Sequence, residues 1–231
     1  MSKTLISYLN KRYLEEKESI ARISQKPGPV ITISREVGCN GLKMAKLLAA
    51  QLNSEKPKTK WEVISKEILV ASANELNMNI EDVRKTVKQS EKFTFSEILK
   101  AFNDKNFKSE QKITKTIIDT ILKFATEGYC IIVGRDGHMI AKDIEKSLHI
   151  RMVAPMEYRV KNIMQNNQLS RLKAIEFINQ VENERQSFRD SIRPKWMKEE
   201  LFDITLNLES FSDDEVLQII RCAIEKKKLL S

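Results

Sequence analysis

The sequence predicts an α/β fold, with a parallel β-sheet covered by helices on both faces. Short β-branched apolar runs alternate along the chain with stretches in which apolar residues recur at helical spacing. Gly and Pro number only 6 and 5 in 231 residues, less than half of their usual share of about 12%, which favours helices over tight turns. Two close glycine pairs stand directly after two of the apolar runs, where ligands bind in such sheets.

The first half of the chain predicts a strand, a glycine turn and a helix, followed by a helical stretch. Residues 1–29 are predicted to form an N-terminal extension, helical over 1–26 and closed by Pro-Gly-Pro. Residues 30–34 are typical of a buried strand, and apolar residues at helical spacing follow the glycines through residue 52. A short strand is predicted at 61–64. The Gly- and Pro-free segment 58–127 then predicts several helices, the last near 109–126.

The second half of the chain predicts three more strands, with helices between and after them. The strands are predicted at residues 130–133, 148–153 and 203–208. Pro155 is predicted as the first residue of one helix. Ser170 is predicted to open a long helix that ends at Pro194. Its inward stripe is predicted to be Leu172, Ile175, Ile178 and Val181. A capping box from Ser212 to Glu215 begins the last helix.

Charge and cysteine usage exclude several classes of protein. The formal net charge is +8, but no basic stripe interleaved with aromatic residues supports nucleic-acid binding. No apolar run approaches the roughly 18–20 residues of a membrane helix, and the N-terminus has no signal-peptide pattern. Cys39, Cys130 and Cys222 form no CxxC pair, and the two histidines form no cluster. No metal site is therefore predicted, and a reducing cytoplasm is the expected location.

Residues 34–43 are the first segment that could carry chemistry. A glycine loop between a buried strand and a helix can point backbone N–H groups at a phosphate, aided by the helix dipole. The usual pattern, GxxxxGK[ST], is not matched, because Arg35 replaces the first glycine when Gly38 is the inner one. Gly41 then takes the lysine position, and Leu42 followed by Lys43 stands where the magnesium-binding hydroxyl would be. An anion-binding loop and a tight structural turn both fit, and Cys39 is predicted as a small loop residue.

A second candidate is the Gly-Arg-Asp-Gly segment after the strand at 130–133. The Arg135 guanidinium can bind a phosphate there, while the Asp136 carboxylate can accept from a base or a sugar. A structural ion pair at the strand end is the alternative. His138, just beyond, is predicted to be a local hydrogen-bonding residue.

The third candidate is a series of arginines. Arg185, Arg189 and Arg193 are spaced by four and share a helix face. Together with Arg159 they could gather phosphoryl charge. The alternative is a solvated charged face, offset in part by neighbouring glutamates. Trp196 could stack on a base, although packing against the core is the simpler role.

Three segments together resemble the cytidylate kinase-like family of bacteria, over roughly residues 30–225. Residues 30–49, VITISREVGCNGLKMAKLLA, resemble the family's opening strand, its I-[ST]-R-x-x-G-x-x-G loop and the helix that follows. Residues 131–137, IIVGRDG, resemble the GRD signature of cytidylate kinases. Residues 184–194, ERQSFRDSIRP, resemble their arginine-rich lid. Trp196 and Asp203 stand where the family has a W…D segment.

The resemblance implies a three-layer, P-loop nucleoside monophosphate kinase-like fold over residues 30–231. A helical acceptor-binding insertion is expected at about 66–115 and a lid at about 165–196. The implied reaction transfers the γ-phosphoryl group of ATP, with Mg²⁺, to CMP, dCMP or a related small acceptor.

The resemblance also implies roles for individual residues. The donor phosphates would be bound by Ser34, Arg35, Gly38, Cys39, Asn40, Gly41, Leu42 and Lys43, with backbone amides of residues 38–43 as a cradle. The acceptor would be bound by Ser65, Arg135 and Asp136. The catalytic residues would be Arg159, Arg185 and Arg189, which neutralise transferring charge as the lid closes.

Departures from the family pattern keep three functions open. The loop lysine and hydroxyl are absent, and Ser65 stands where the family often has Asp. Lys43 or Arg35 could supply the missing cation. An active kinase is the first interpretation, a nucleotide-binding protein with little or no catalysis the second, and a nucleic-acid binder the third. No membrane partner is expected, and the N-terminal extension could mediate a homodimer or pack on its own core.

Overall fold

The computed structural model of the chain describes residues 27–55, 57–65, 110–192 and 200–230. Three predictions fall outside this part: the helical extension at 1–26, the insertion at 66–115 apart from its last residues, and the positions of Arg193, Pro194 and Trp196. In the described part, five strands and six helices follow one another along the chain. No helix in these ranges combines the length and the apolar character needed to cross a membrane.

The centre of the molecule is a sheet of five parallel strands, as the alternation of strands and helices predicts. In chain order the strands are β1 Val30–Arg35, β2 Glu62–Ile64, β3 Cys130–Val133, β4 Ser147–Val153 and β5 Ile204–Asn207. Their spatial order is β2-β3-β1-β4-β5, and every neighbouring pair is parallel. Thr32 of β1 lies opposite Ile132 on one side and His149 on the other. The loop after β1 is therefore beside the turn after β3.

Six helices cover both faces of the sheet in the described part. They are α1 Gly41–Ser54, α2 Glu110–Glu127, α3 Gly137–Ile140, α4 Met156–Asn167, α5 Arg171–Ile192 and α6 Asp213–Lys226. Because side chains alternate along a strand, Ile31 and Ile33 of β1 pack into one core with α1 and α6. Val30 faces the opposite core, which holds α2, α3 and Phe188 of α5. The sheet is the middle of three layers, as predicted.

The sequence signals at helix ends have the predicted roles, with one difference. Gly128 follows α2 at φ +78°, and its N–H donates to the Phe124 carbonyl over 3.0 Å. Ser212 and Glu215 form both hydrogen bonds of a capping box at the start of α6. Pro155, predicted as the first helical residue, precedes α4 instead, with extended backbone at ψ 152°. Proline is still tolerated at this position, because an N–H there would have no acceptor within the helix.

The buried face of α5 differs from the predicted stripe at one position, Leu172. Leu172, expected to point inward, is 68% exposed. Ala174 is buried instead, together with the predicted Ile178, in a cluster with Val37 and Val160. The predicted Ile175 and Val181 are partly buried against the same cluster. Leu172 lies two residues from Ala174, which turns it about 200° around a helix of about 3.6 residues per turn. The face that α5 buries is therefore set by its contacts with α4 and with the loop after β1.

Candidate functional site

The loop after β1 spans residues 36–40 and is held against α4. Gly38 has φ +92°, and an ideal Cβ on it would lie 2.7 Å from Cβ of Arg159, so only glycine fits there. The Gly38 carbonyl accepts a hydrogen bond of 2.9 Å from the Asn162 side-chain amide. The predicted glycine turn therefore allows a helix that carries an arginine to pack directly on the loop backbone.

Several backbone N–H groups of this loop already have acceptors. The Val37 N–H donates to Glu182 Oε1 of α5 over 2.6 Å. The Cys39 N–H donates to the Glu36 carbonyl over 3.1 Å, and the Gly41 N–H to the Cys39 carbonyl over 2.6 Å. Two donors of the predicted cradle are thus engaged within the loop, while a neighbouring N–H holds a carboxylate. The loop binds an oxyanion in this structure, supplied by the protein itself.

Arg159 lies at the same loop, between two carboxylates. Its Nε is 3.6 Å from Glu36 Oε2, and its Nη1 is 3.5 Å from Glu182 Oε1. Glu36 also accepts from the Ala154 N–H over 3.1 Å. This predicted catalytic arginine is therefore placed at the loop by α4 and connected to α5 through Glu182.

The Gly-Arg-Asp turn after β3 is a run of left-handed residues. Gly134, Arg135 and Asp136 have φ of +76°, +55° and +51°. Left-handed non-glycine residues cost about 1–3 kcal/mol each and gather at functional sites. The Gly134 N–H donates to the Ile33 carbonyl over 2.9 Å, which fixes the turn to β1. The short helix α3 begins directly after Asp136. It was not predicted, because four residues are too few to show helical periodicity.

Asp136 forms its ion pair with α5 rather than with its neighbour Arg135. Its Oδ1 accepts from Arg189 Nε over 3.2 Å, and Arg189 Nη1 donates to Glu200 Oε1 over 3.3 Å. Burial raises the pKa of the Asp136 carboxyl, and the Arg189 guanidinium partly opposes that change. Asp136 and Arg189, both predicted site residues, are thus in contact although they are 53 positions apart in the sequence. Glu200, which no sequence motif marks, is the third member of this network.

Three arginines form a cluster between the two loops, and we call Arg35, Arg135 and Arg185 the arginine cluster. Arg185 Nη1 donates to the Arg35 carbonyl over 2.9 Å. Burial lowers the pKa of all three guanidinium groups, that of Arg135 to about 10, and repulsion from Arg185 lowers the pKa of the other two further. Because cations so placed repel one another, a polyanion that bound among them would relieve that repulsion.

Lys43 lies on the opposite side of the loop and is exposed. Its ammonium pairs with the Asp213 carboxylate of α6, which raises the pKa of Lys43. The chain thus directs this predicted donor-binding residue toward the start of α6 and away from the arginine cluster. Its role in phosphate binding remains a prediction.

A cavity of about 540 Å³ adjoins the loop on the Lys43 side. Its walls come from the loop, α1, α4 and the segment between β5 and α6. The lining includes Asn40, Lys43, Tyr158, Asn162, Phe211 and Asp213. No motif in the sequence marks the wall at residues 208–213, although its place directly after a strand is a usable signal.

The other predicted site residues have simpler surroundings. Cys39 is buried, and burial together with Glu36 raises the pKa of its thiol to about 12, which makes it unreactive. Ser34 lies on β1 opposite Arg151 of β4. Leu42 packs partly into the core from α1, and Ser65 directly follows β2 at the same edge of the sheet.

His138 is not the local hydrogen-bonding residue that the sequence predicts. In the described part, neither ring nitrogen has a hydrogen-bond partner, and Nε2 lies 3.4 Å from Glu200 Oε2. The ring stacks on Phe202 with centroids 4.4 Å apart. Burial is the main reason that the pKa of His138 falls to about 3. His138 is therefore a neutral ring that packs on the Phe202 side chain.

Asp203, the acidic residue of the family's W…D segment, has a structural role. Its Oδ2 accepts from the His149 N–H over 2.7 Å, and its Oδ1 accepts from Lys227 Nζ over 2.7 Å. It therefore connects the start of β5 to β4 and to the end of α6.

The described residues fit a nucleoside triphosphate better than they fit a protein-bound metal ion. Loop N–H groups, an arginine cluster and a cavity beside them suit a base joined to several phosphates. Among these residues no group of three His, Cys, Asp or Glu side chains could hold a metal, and Leu42, which has no hydroxyl, follows the usual lysine position. The chain's described side chains do not form a magnesium site.

Comparison with known proteins gives a family and a fold. The model of the cytidylate kinase-like family matches residues 30–210. An uncharacterized protein from Eubacterium ventriosum ATCC 27560 is similar in structure, with a TM-score of 0.60 and 19% identity over 85% of this chain and 98% of that one. Shikimate kinase from Bacteroides thetaiotaomicron has a TM-score of 0.48 and 11% identity over 85% and 98%. No curated protein matches this chain.

Proposed function

This chain belongs to the cytidylate kinase-like family, and on that premise we propose that it is a phosphotransferase that moves the γ-phosphoryl group of ATP to CMP, dCMP or a related small acceptor. One observation supports this most: the loop after β1 and the Gly-Arg-Asp turn after β3 are side by side, with Arg159, Arg185 and Arg189 around them. A donor and an acceptor phosphate need such a pair of neighbouring anion sites.

The donor would bind on the loop side. Its base and ribose would occupy the cavity beside Lys43 and Tyr158. Its phosphates would take the place of the Glu182 carboxylate at the Val37 N–H and at Arg159. Magnesium would arrive bound to the donor and would neutralise part of the charge of its phosphates.

The acceptor would bind on the side of the Gly-Arg-Asp turn. Arg135 would hold its phosphate, and Asp136 would accept a hydrogen bond from its base or sugar, with Ser65 nearby at the end of β2. An acceptor phosphate oxygen would then attack the γ-phosphorus. That P–O bond forms as the bond from the γ-phosphorus to the bridging oxygen breaks, and ADP leaves.

Catalysis would come from positioning and charge neutralisation. The transferred group spreads negative charge over its oxygens, and fixed cations stabilise that charge. Arg159 on α4 and Arg185 and Arg189 on α5 would supply them as a lid at about residues 165–196 closes. Closure also excludes water, which limits hydrolysis of ATP. We further propose an acceptor-binding role for the segment at about 66–115, and a cytoplasmic location.

The deciding experiment is phosphoryl transfer from Mg-ATP across a panel of nucleoside monophosphates, with the products separated by chromatography. We expect diphosphate from CMP or dCMP at a rate well above that of ATP hydrolysis. Asp136→Asn should lower kcat/KM by about 10- to 100-fold, because a charge-assisted hydrogen bond of about 1.5–3 kcal/mol is lost. Asp143→Asn, an exposed control of the same chemistry, should leave the rate unchanged.

A nucleotide-binding protein without catalysis is the second candidate. It is favoured by the absence of the loop lysine and hydroxyl and by the Glu182 carboxylate at the loop. A folded protein that binds ATP but yields no diphosphate from any acceptor would establish it. A nucleic-acid binder would instead show nonspecific DNA affinity that falls steeply with salt.

A further inference from the structure

We propose that Arg35 is the catalytic cation of this site, and that its guanidinium contacts the transferring phosphoryl group in place of the lysine of usual phosphate loops. This inference rests on the proposed function. It assigns the missing positive charge to the end of a strand rather than to the start of a helix.

The stem of Arg35 occupies the space of the usual lysine. An ideal Cβ on Gly41, which holds the lysine position, would lie 3.2 Å from Cγ of Arg35 and 3.4 Å from its Cδ. The first distance is tighter than ordinary van der Waals contact and the second is at its lower limit, so a side chain at position 41 would compete with the arginine. A glycine at 41 and an arginine at 35 are therefore two parts of one arrangement.

The head of Arg35 reaches the acceptor side. An ideal Cβ on Gly134 would lie 2.7 Å from Cζ of Arg35. The guanidinium thus lies against the backbone at the end of β3, directly before Arg135 and Asp136. A cation that begins at the end of β1, directly before the donor loop, and ends at the acceptor turn spans the place where a phosphoryl group must cross.

The charge of Arg35 is available to a ligand. In the described part, no carboxylate lies within ion-pair distance of its guanidinium, whereas Arg159 and Arg189 each have two such partners. Beyond ion-pair distance, Arg185 and Arg135 lower the pKa of Arg35 by repulsion. The carboxylates of Asp136 and Glu182 act on the Arg35 pKa in the opposite direction and more weakly. Lys43, the other candidate, pairs with Asp213 and is exposed. A guanidinium also suits phosphoryl oxygens, since its donors are fixed in a planar fork.

The guanidinium needs no proton exchange in this role. It remains protonated while the acceptor oxygen bonds to the γ-phosphorus and the bond to the bridging oxygen breaks. Its contribution is electrostatic and is largest where charge develops.

The experiment compares Arg35→Met, which keeps the length of the side chain, with Arg221→Met on α6 as a matched control. We expect Arg35→Met to lower kcat of phosphoryl transfer by at least about 100-fold, as loss of one fixed donor does in other enzymes, while Arg221→Met stays near wild type. Arg35→Ala should recover activity when guanidinium ion is added, and Arg35→Lys should retain part of it. Guanidinium rescue would show that the missing cation is the cause.

Calorimetry with ATP and with ADP separates this inference from the proposed function. If the wild type transfers a phosphoryl group to no acceptor, the proposed function fails, and the role of Arg35 is then tested by nucleotide binding alone. We then expect wild type to prefer ATP over ADP and Arg35→Met to lose that preference. The inference is overturned if Arg35→Met keeps a kcat within about threefold of wild type, since fixed donors contribute far more. It is also overturned if guanidinium ion fails to rescue Arg35→Ala and Arg35→Lys retains no activity. An ATP preference that is unchanged in Arg35→Met overturns it as well.

Discussion

At the scale of single residues, the site depends on backbone conformations that side chains rarely adopt. Three successive left-handed residues end β3, and only the first is glycine. Gly134 tolerates its conformation and also leaves room for the Arg35 guanidinium. Arg135 and Asp136 have no such freedom, so surrounding contacts must offset their strain. The Asp136–Arg189 ion pair and the hydrogen bond from Gly134 to Ile33 are two of these contacts.

Gly134→Ala should therefore destabilise the protein. We expect a loss of more than about 1 kcal/mol in the free energy of unfolding, because the new Cβ would meet both an unfavourable φ and the Arg35 head. Urea unfolding gives the measurement. Gly137→Ala is the matched control, since its Cβ would also be crowded, at 2.9 Å from Cγ2 of Ile132, but its φ is not left-handed. Equal losses in the two variants would contradict this account of position 134.

At the scale of elements, α5 connects the donor loop to the acceptor turn. Glu182 holds the loop, Arg185 holds the carbonyl of Arg35, and Arg189 holds Asp136. These contacts recur at intervals of three and four residues, so one face of a single helix makes all of them. Movement of this helix would change both anion sites together.

Glu182→Gln tests whether that carboxylate competes with phosphate. We expect ATP affinity to rise several-fold, because the Val37 N–H and Arg159 would no longer hold a negative charge. Titration calorimetry measures it, with exposed Glu176→Gln on the same helix as control. Weaker binding in Glu182→Gln alone would instead make the carboxylate a positioning group for Arg159.

At the scale of the whole molecule, two buried histidines make stability depend on pH. Burial lowers the pKa of both His138 and His149. The change for His138 is from 6.5 to about 3, with Arg189, Arg151 and His149 adding to the effect of burial. Between those values the unfolded chain binds a proton that the folded chain does not. The contribution to stability is complete above about pH 6.5 and is lost as the pH falls toward 3.

Within this window, His138 should therefore lower the free energy of unfolding by about 1.4 kcal/mol for each unit by which the pH falls. Urea unfolding at pH 7 and at pH 5 measures the slope. His138→Gln should remove that share of the pH dependence, whatever its effect on stability at pH 7. An identical slope in the variant would show that this ring titrates alike in both states.

Most of the secondary structure could be predicted from the sequence, because its signals are local. All five strands match their predicted ranges to within one residue at each end, since an uninterrupted β-branched run marks a buried parallel strand. Capping residues and Gly128 marked helix ends for the same reason. β5 begins one residue later and ends one residue earlier than predicted, although the N–H groups of its flanking Asp203 and Leu208 still donate to carbonyls of β4. The family resemblance likewise rested on contiguous motifs.

By itself the sequence determined the strands, most helix boundaries, the family and the two candidate loops. Only the tertiary structure decided that Glu182 caps Val37, that Asp136 pairs with Arg189, and that Arg35 reaches Gly134. The first two contacts join residues 145 and 53 positions apart. Their partners follow from the order β3-β1-β4, from the face that α5 buries, and from a left-handed turn. No local sequence pattern predicts the strand order or the buried helix face, because packing between elements distant in the chain determines them.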